Sequence, residues 1–172
     1  MASNFRYRAG VVKTLSLPTA ADGTVTKHIE VGDLTYVESA VVYPASYLSD
    51  AGTAAQNRAA FAAAFCGVAL HKTGLQTSET SAKLTTDPGY QLIATSGDFE
   101  FPCAATSWAP GDLVGVYASA SACSDQQVAQ VTEITEAIGI AKVPYNALGT
   151  SQTSIIVELR PRFVYAAVSS AQ

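Results

Sequence analysis

Charged residues are scarce in this sequence. Asp, Glu, Lys and Arg make up 14% of the 172 residues, against roughly 25% in an average soluble domain. Because interfaces are depleted in Lys and Glu, low charge indicates a surface that a partner covers. A polar but neutral surface rich in Ser, Thr and Ala is the alternative, and both interpretations remain open. The net charge is −4, and phosphate contacts need clustered Lys and Arg, so we expect no nucleic-acid partner.

Long apolar runs are also missing. Hydrophobic residues make up 48% of the chain and the mean hydropathy is +0.19, but no run reaches the roughly 18 apolar residues of a membrane span. The N-terminal residues 1–8 lack the apolar stretch of a secretory signal peptide. We therefore expect a protein made in the cytoplasm, without a membrane partner.

Cysteine and histidine are too few to indicate a reactive site. Cys66, Cys103 and Cys123 are an odd number without CxxC spacing, which favours free thiols in a reducing compartment. Cys66 and His71 are five residues apart on one predicted strand, so their side chains point to opposite faces. We interpret the thiols as small hydrophobic side chains. The histidines, His28 and His71, are isolated, and we expect no metal and no cofactor.

Other signatures of catalysis are weak. Glu133 and Glu136 fall on a strand predicted over 127–136, where they face opposite ways and are explained as solvent-facing carboxylates. The sequence has no phosphate-binding glycine loop, no GxSxG and no HExxH. Trp108, close to Pro110, is either a sugar-stacking platform or, more commonly, a packing or interface residue. We expect that the protein is not an enzyme.

Period-two alternation of apolar and polar residues predicts that most of the chain is extended. Turn signals recur at roughly 8–12-residue spacing, which is typical of a β-sandwich or barrel. The predicted fold class is all-β: a compact antiparallel β-barrel or sandwich with one short Ala-rich helix and extended termini. We expect one domain over residues 1–172, with an N-terminal arm over 1–10 and a C-terminal extension over 160–172. The predicted strands cover 11–17, 24–31, 34–37, 66–72, 90–94, 99–101, 113–117, 127–136, 137–143 and 154–159.

Two local predictions can be made in more detail. The first three strands read as an antiparallel meander with tight turns. Residues 54–65 are dominated by Ala, the best helix former, and Thr53 stands at the N-cap position. We therefore predict a helix here that connects strands across one end of the sheet.

One short pattern occurs twice. Gly32-Asp33-Leu34 and Gly111-Asp112-Leu113 each predict a turn in which Asp binds its own backbone and Leu begins a strand. Each is followed later by a strand built on glycine, at Gly67 and at Gly139, which indicates a bulge or a close approach of two backbones. Two copies of this unit would build a small closed or nearly closed β-barrel.

A longer ordered set of motifs resembles the decoration, or cement, proteins of tailed-phage capsids. Members of that family carry a GDL turn, a PAS segment, an FxGVA strand, an ATSGxFEF hairpin, a second GDLVG and a late AIG strand. The matching segments of this chain, which together span roughly residues 30 to 142, are 32–34, 44–46, 65–70, 94–103, 111–115 and 137–139.

The resemblance implies a structural virion protein without cofactor or catalytic activity. It would bind the major capsid protein on the outer surface of an assembled head and stabilise contacts between capsomers, often as a homotrimer near local three-fold positions. Two alternatives stay open. One is a carbohydrate- or receptor-binding β-module of a tail or fibre, with Trp108 and tyrosines lining a groove, and the other is a small hydrolase built on Cys and His.

The candidate contact residues lie mainly near the two ends of the chain. The N-terminal arm offers two aromatic anchors and two arginines for a carboxylate patch on the capsid, although a frayed terminus would have the same sequence. The second candidate segment follows the last predicted strand, where Pro161 would end a ladder or lie on an edge. The candidate residues are Phe5, Arg6, Tyr7, Arg8, Trp108, Arg160 and Arg162.

Overall fold

The computed structural model describes residues 6–19, 28–72, 90–143 and 147–161. Within these ranges the chain is mostly strands with one α-helix, α1 (Ala54–Ala64), and two short 3₁₀ helices, Ala45–Tyr47 and Ile134–Glu136. The predicted all-β class with one short Ala-rich helix is confirmed. The strands are β1 (Arg6–Ala9), β2 (Thr14–Pro18), β3 (Leu34–Glu38), β4 (Val41–Pro44), β5 (Phe65–Ala69), β6 (Tyr90–Ala94), β7 (Asp98–Ser107), β8 (Leu113–Ala118), β9 (Cys123–Gln130), β10 (Gly139–Lys142) and β11 (Ser151–Leu159).

The strands form two five-stranded units. In the order β7-β11-β10-β8-β9 the second half of the chain makes a barrel, which a parallel pairing between Cys103 and Val128 closes. The first half repeats this order as β2-β6-β5-β3-β4, and a single parallel bridge between Thr19 and Val42 links its end strands. We call these units barrel 1 (β2–β6) and barrel 2 (β7–β11). β1 is an extra strand, antiparallel to β7.

The two barrels share their register as well as their strand order. Leu34 lies opposite Val68 in barrel 1, and Leu113 lies opposite Ile140 at the corresponding place in barrel 2. The closing bridges also fall at the same position relative to the first residues of β2 and β7. The repeat that the sequence indicated is therefore real. The two copies do not build one barrel together: barrel 2 closes through the pairing of β7 with β9, and the strands of barrel 1 form a separate sheet whose ends meet at one bridge.

The repeated turns are built alike. Asp33 Oδ2 accepts the backbone N–H of Glu30 at 2.7 Å, and Asp112 Oδ2 accepts that of Ala109, also at 2.7 Å. These are the predicted bonds from an Asp side chain to its own turn, and β3 and β8 begin at the next residue.

The repeated glycines mark close approaches of neighbouring backbones. A Cβ on Gly67 would lie 2.1 Å from the carbonyl oxygen of Ala94, and one on Gly139 would lie 2.3 Å from that of Glu158. No side chain fits at either distance. The predicted reason for these glycines is therefore confirmed in both barrels.

Gly139→Ala should destabilise the protein by about 2 kcal/mol or more, because the new methyl group must push β10 away from β11. Gly111→Ala is the matched control, since its site is open space and only its positive φ of 90° opposes the substitution, at about 1 kcal/mol. Urea unfolding of both variants measures the difference. Equal losses would contradict the packing role of Gly139.

Several strand predictions need correction. β2 pairs with β6 and not with its neighbour in sequence, so the meander is wrong for this strand, because alternation does not reveal partners. The first half of the strand predicted over 24–31 lies outside the described residues. Its second half, 28–31, is not a strand: it holds one bridge residue, Ile29, and leads into the turn before β3. The strand predicted over 127–136 ends at Gln130 and gives way to the 3₁₀ helix Ile134–Glu136.

Helix α1 lies between the barrels. Thr53 Oγ1 accepts the N–H of Gln56 at 3.2 Å, which confirms the predicted N-cap. The buried face of the helix carries Asn57, Phe61 and Ala62. Phe61 belongs to a cluster of buried hydrophobic residues to which both barrels contribute. The single domain expected from the sequence remains a prediction.

Candidate contact surface

The three thiols lie inside the protein. Cys66, Cys103 and Cys123 are free and buried, and burial raises the pKa of all three, to about 12 for Cys66 and about 11 for Cys123. His71 lies beyond the end of β5, where its Nε2 is 2.9 Å from the carbonyl oxygen of Tyr90. This arrangement favours the interpretation of the cysteines as small hydrophobic residues.

Thiol labelling tests this arrangement. Because the thiolate is the reacting form, none of the three cysteines should react detectably with a disulfide reagent at neutral pH, whereas all three should react in guanidinium. Fast stoichiometric labelling of the folded protein would contradict the burial seen here.

Glu136 differs from its prediction. The 3₁₀ helix turns its side chain inward, so that it is 8% exposed, and its carboxylate pairs with Arg58 of α1. Glu133 is exposed, as expected. Glu136 therefore holds the helix to barrel 2 and is not a surface carboxylate.

Over 6–19, 28–72, 90–143 and 147–161, no three His, Cys, Asp or Glu side chains are grouped so that they could hold a metal ion. No helix among these residues is long and apolar enough to cross a membrane.

Trp108 is not a surface residue. It is 2% exposed and lies in the shared cluster of buried residues, just after β7 ends. Of the roles considered from sequence, packing is therefore the one that the structure supports. Its prediction as a contact residue or a sugar platform is wrong, because no face of its indole is available.

The N-terminal arm is partly a strand of the protein itself. Residues Arg6–Ala9 form β1 and pair with the beginning of β7, so the prediction of a free arm is wrong for this segment. The first residues of β7 lie before the point at which it pairs with β9, so their outer edge would otherwise be open. β1 lies along this edge and provides hydrogen-bond partners for their backbone groups. Phe5 lies outside the described residues, as do the side chains of Arg6 and Tyr7.

Arg8 and Arg160 are engaged within the chain. Arg8 donates to Glu100, with Nε 2.8 Å from Oε2, and Arg160 donates to Glu158 Oε1 at 3.1 Å. These pairs are solvent-exposed and each contributes less than about 1 kcal/mol, so a carboxylate of a partner could replace either acceptor at small cost. Arg162 lies outside the described residues.

The two predicted contact segments meet in the fold. A concavity of about 600 Å³ is lined by Gly10, at the end of one segment, with the adjacent Val11, and by Arg160 from the other segment. Lys142 lies between them and bonds to Asp98 at 2.8 Å. Sequence analysis missed this lysine and its partner, because only the register of β7, β11 and β10 brings them together.

Strand β6 carries an inverted pattern that sequence analysis also missed. Gln91 is fully buried, and its Nε2 donates to the carbonyl oxygen of His71 at 2.8 Å, whereas Tyr90 and Leu92 are 61% and 38% exposed. At the place of Gln91, barrel 2 has the buried Ile155. Exposed apolar groups side by side on a strand are typical of a surface that meets a partner.

A buried carboxyl joins the two barrels. Asp33, in the turn before β3, accepts a hydrogen bond from Gln126 Nε2 of β9 at 2.8 Å. Burial raises the pKa of Asp33 to about 6 from an ordinary 3.8, and the nearby Asp125 and Glu30 act in the same direction. The folded state thus binds this proton more tightly than the unfolded state does.

It follows that Asp33 favours folding below about pH 4 and that this contribution is lost as the pH rises to about 6. Asp33→Asn mimics the protonated acid, and Gln126 can rotate its amide to accept from it. Its free energy of unfolding at pH 7.5 should therefore exceed that of the unaltered protein by on the order of 2 kcal/mol. Urea unfolding at pH 4.5 and 7.5 measures this, with Asp112→Asn as the control, and an unchanged pH dependence would contradict it.

Comparisons of this chain with protein-family models, with curated proteins and with solved structures find no match. The likeness to capsid decoration proteins therefore depends on the motifs quoted above. In the structure, five of the six motifs fall on the GDL turns, on the strands that carry the close-approach glycines, and on the connection from β6 to β7. The sixth, 44–46, lies where β4 passes into the 3₁₀ helix Ala45–Tyr47.

Proposed function

We propose that this protein is a decoration protein of a tailed-phage capsid. It binds the major capsid protein on the outer surface of the assembled virion head, as a homotrimer, and stabilises contacts between capsomers. The observation that carries the proposal is the ordered set of family-like motifs, of which the two GDL turns and the two glycine strands recur in both barrels.

The surface of barrel 1 supports a role in binding. Tyr90 and Leu92 stand side by side on the outer face of β6, next to β2. The low content of charged residues agrees with a surface that becomes covered. A decoration protein needs such an area, because it gains its affinity from contacts with the shell.

The environment of the three thiols gives less support to an enzyme than to a structural protein. A thiol nucleophile requires a lowered pKa and a nearby base, whereas the pKa of each thiol is raised here. The carbohydrate-binding alternative depended on Trp108 as a platform, and Trp108 is buried. No observation favours either alternative over the proposed function.

Co-sedimentation with capsids tests the proposal. The purified protein is mixed with expanded heads that lack decoration protein, and with unexpanded procapsids as the control particle. We expect saturable binding at a fixed ratio to the major capsid protein on expanded heads only. Absence of binding to either particle would refute the proposed function.

Two matched variants make the test specific for β6. Leu92→Asp places a charge in the exposed apolar pair and should weaken binding to heads at least about tenfold. Leu148→Asp is the control, because Leu148 is similarly exposed (42% against 38%) but lies in the turn before β11. Equal effects of the two substitutions would exclude β6 as the contact surface.

A further inference from the structure

We propose that an extended segment of the major capsid protein adds a strand to the outer edge of β2, at the place on barrel 1 that β1 occupies on barrel 2. The added strand runs antiparallel to β2 and covers residues 14–16. The inference rests on the proposed function, to which it adds the form of the contact. It follows from the internal repeat and from the backbone groups that β2 leaves exposed.

Barrel 2 shows what kind of ligand such an edge takes. β1 lies antiparallel to the first residues of β7, with Tyr7 opposite Phe99. Phe99 belongs to the cluster of buried hydrophobic residues and is 0% exposed. A strand of 4 residues therefore completes this edge of the barrel.

β2 occupies in barrel 1 the place of β7 in barrel 2. The bridge between the end strands falls five residues after the first residue of β2, and likewise five residues after the first residue of β7. Pro18 and Pro102 occupy the same place in the two strands. Residues 14–16 therefore correspond to residues 98–100, the part of β7 that pairs with β1.

The corresponding edge of barrel 1 has no strand along it among the described residues. β2 is the first strand in the order β2-β6-β5-β3-β4, so residues 14–16 pair on the β6 side only. The Lys13 carbonyl accepts the N–H of Thr95, so by alternation Thr14 and Ser16 direct their N–H and C=O groups away from β6. Both residues are exposed, and an added strand would bond to both.

The side chain between these two residues is also incompletely covered. Leu15 occupies the place of Phe99 but is only half-buried, whereas Ile93, which lies opposite it on β6, is fully buried. Side chains of residues that lie opposite each other on neighbouring strands share one face of the sheet. We therefore expect the capsid segment to carry an apolar residue opposite Leu15.

The position of the edge favours the capsid protein as the source of this strand. Ser16 lies opposite Leu92, and Pro18 lies opposite Tyr90. The edge thus adjoins the exposed apolar pair of β6 that the proposed function assigns to the shell. In strand addition, main-chain hydrogen bonds give affinity and neighbouring side chains give specificity, so one bound segment accounts for both the open edge and the apolar face.

Ser16→Pro tests the backbone contact with little change to barrel 1. Proline removes the outward N–H of Ser16 but none of the bonds between β2 and β6, and β2 already holds Pro18 at an equivalent outward position. Its affinity for expanded heads, measured by co-sedimentation, should fall at least about tenfold, because a carbonyl of the added strand loses its donor. Ser16→Ala is the matched control, since it keeps the N–H and should bind like the unaltered protein.

Amide hydrogen exchange of the unaltered protein provides a second readout that needs no variant to fold. The N–H groups of Thr14 and Ser16 should exchange as unprotected amides in the free protein and at least about tenfold more slowly on heads. Mass spectrometry with fragmentation to single residues measures both states. The Leu15 N–H, which faces β6, should stay protected in free Ser16→Pro and so shows that barrel 1 is folded.

The outcomes separate this inference from the proposed function. Saturable binding to heads with equal affinities for Ser16→Pro and Ser16→Ala overturns the added strand and leaves the proposed function in place. Absence of binding by the unaltered protein overturns both. Protection of Thr14 and Ser16 in the free protein also overturns the inference, by assigning this edge to a second copy if the protection disappears on dilution and to the same chain if it persists.

Discussion

The structure depends on one close backbone contact in each barrel, in which a glycine of one strand lies against a carbonyl group of the neighbouring strand. Gly67 meets Ala94, and Gly139 meets Glu158, at distances that leave no room for a side chain. Because a five-stranded barrel is narrow, its strands must curve strongly and approach closely somewhere along their length. The two glycines provide that place. The shared strand order follows once β5 and β10 can lie this close to β6 and β11.

The two barrels share this framework but differ in what covers their edges and outer faces. Barrel 2 has β1 along its open edge and an outer face on which Arg8, Lys142 and Arg160 are each paired with carboxylates of the same chain. Barrel 1 has no such added strand among its described residues, and it exposes Tyr90 and Leu92. Strands that occupy equivalent positions in the two barrels therefore have different surroundings.

Sequence reasoning predicted the features that depend on local chemistry. The Thr53 cap, the Asp33 turn and the glycine at 139 each follow from a residue's own preferences, and each is confirmed. Features that depend on distant partners could not be obtained in this way. The pairing of β2 with β6 and the burial of Trp108 are set by tertiary packing, which a single sequence does not reveal.

Strand β6 has a polar residue buried and apolar residues exposed. Its comparison with the equivalent strand β11 separates what folding requires from what binding would require. Gln91 and Ile155 occupy the same buried position, yet an apolar residue suffices there for a stable barrel, as barrel 2 demonstrates. The neighbouring position has the exposed Tyr90 in barrel 1 and Ser154, bonded to Glu100, in barrel 2. Since the polar arrangement in barrel 2 meets the demands of the fold, those demands do not account for the apolar outer face of barrel 1. A partner that covers β6 would account for it, and barrel 1 is therefore the half in which the contacts of the proposed function are to be sought.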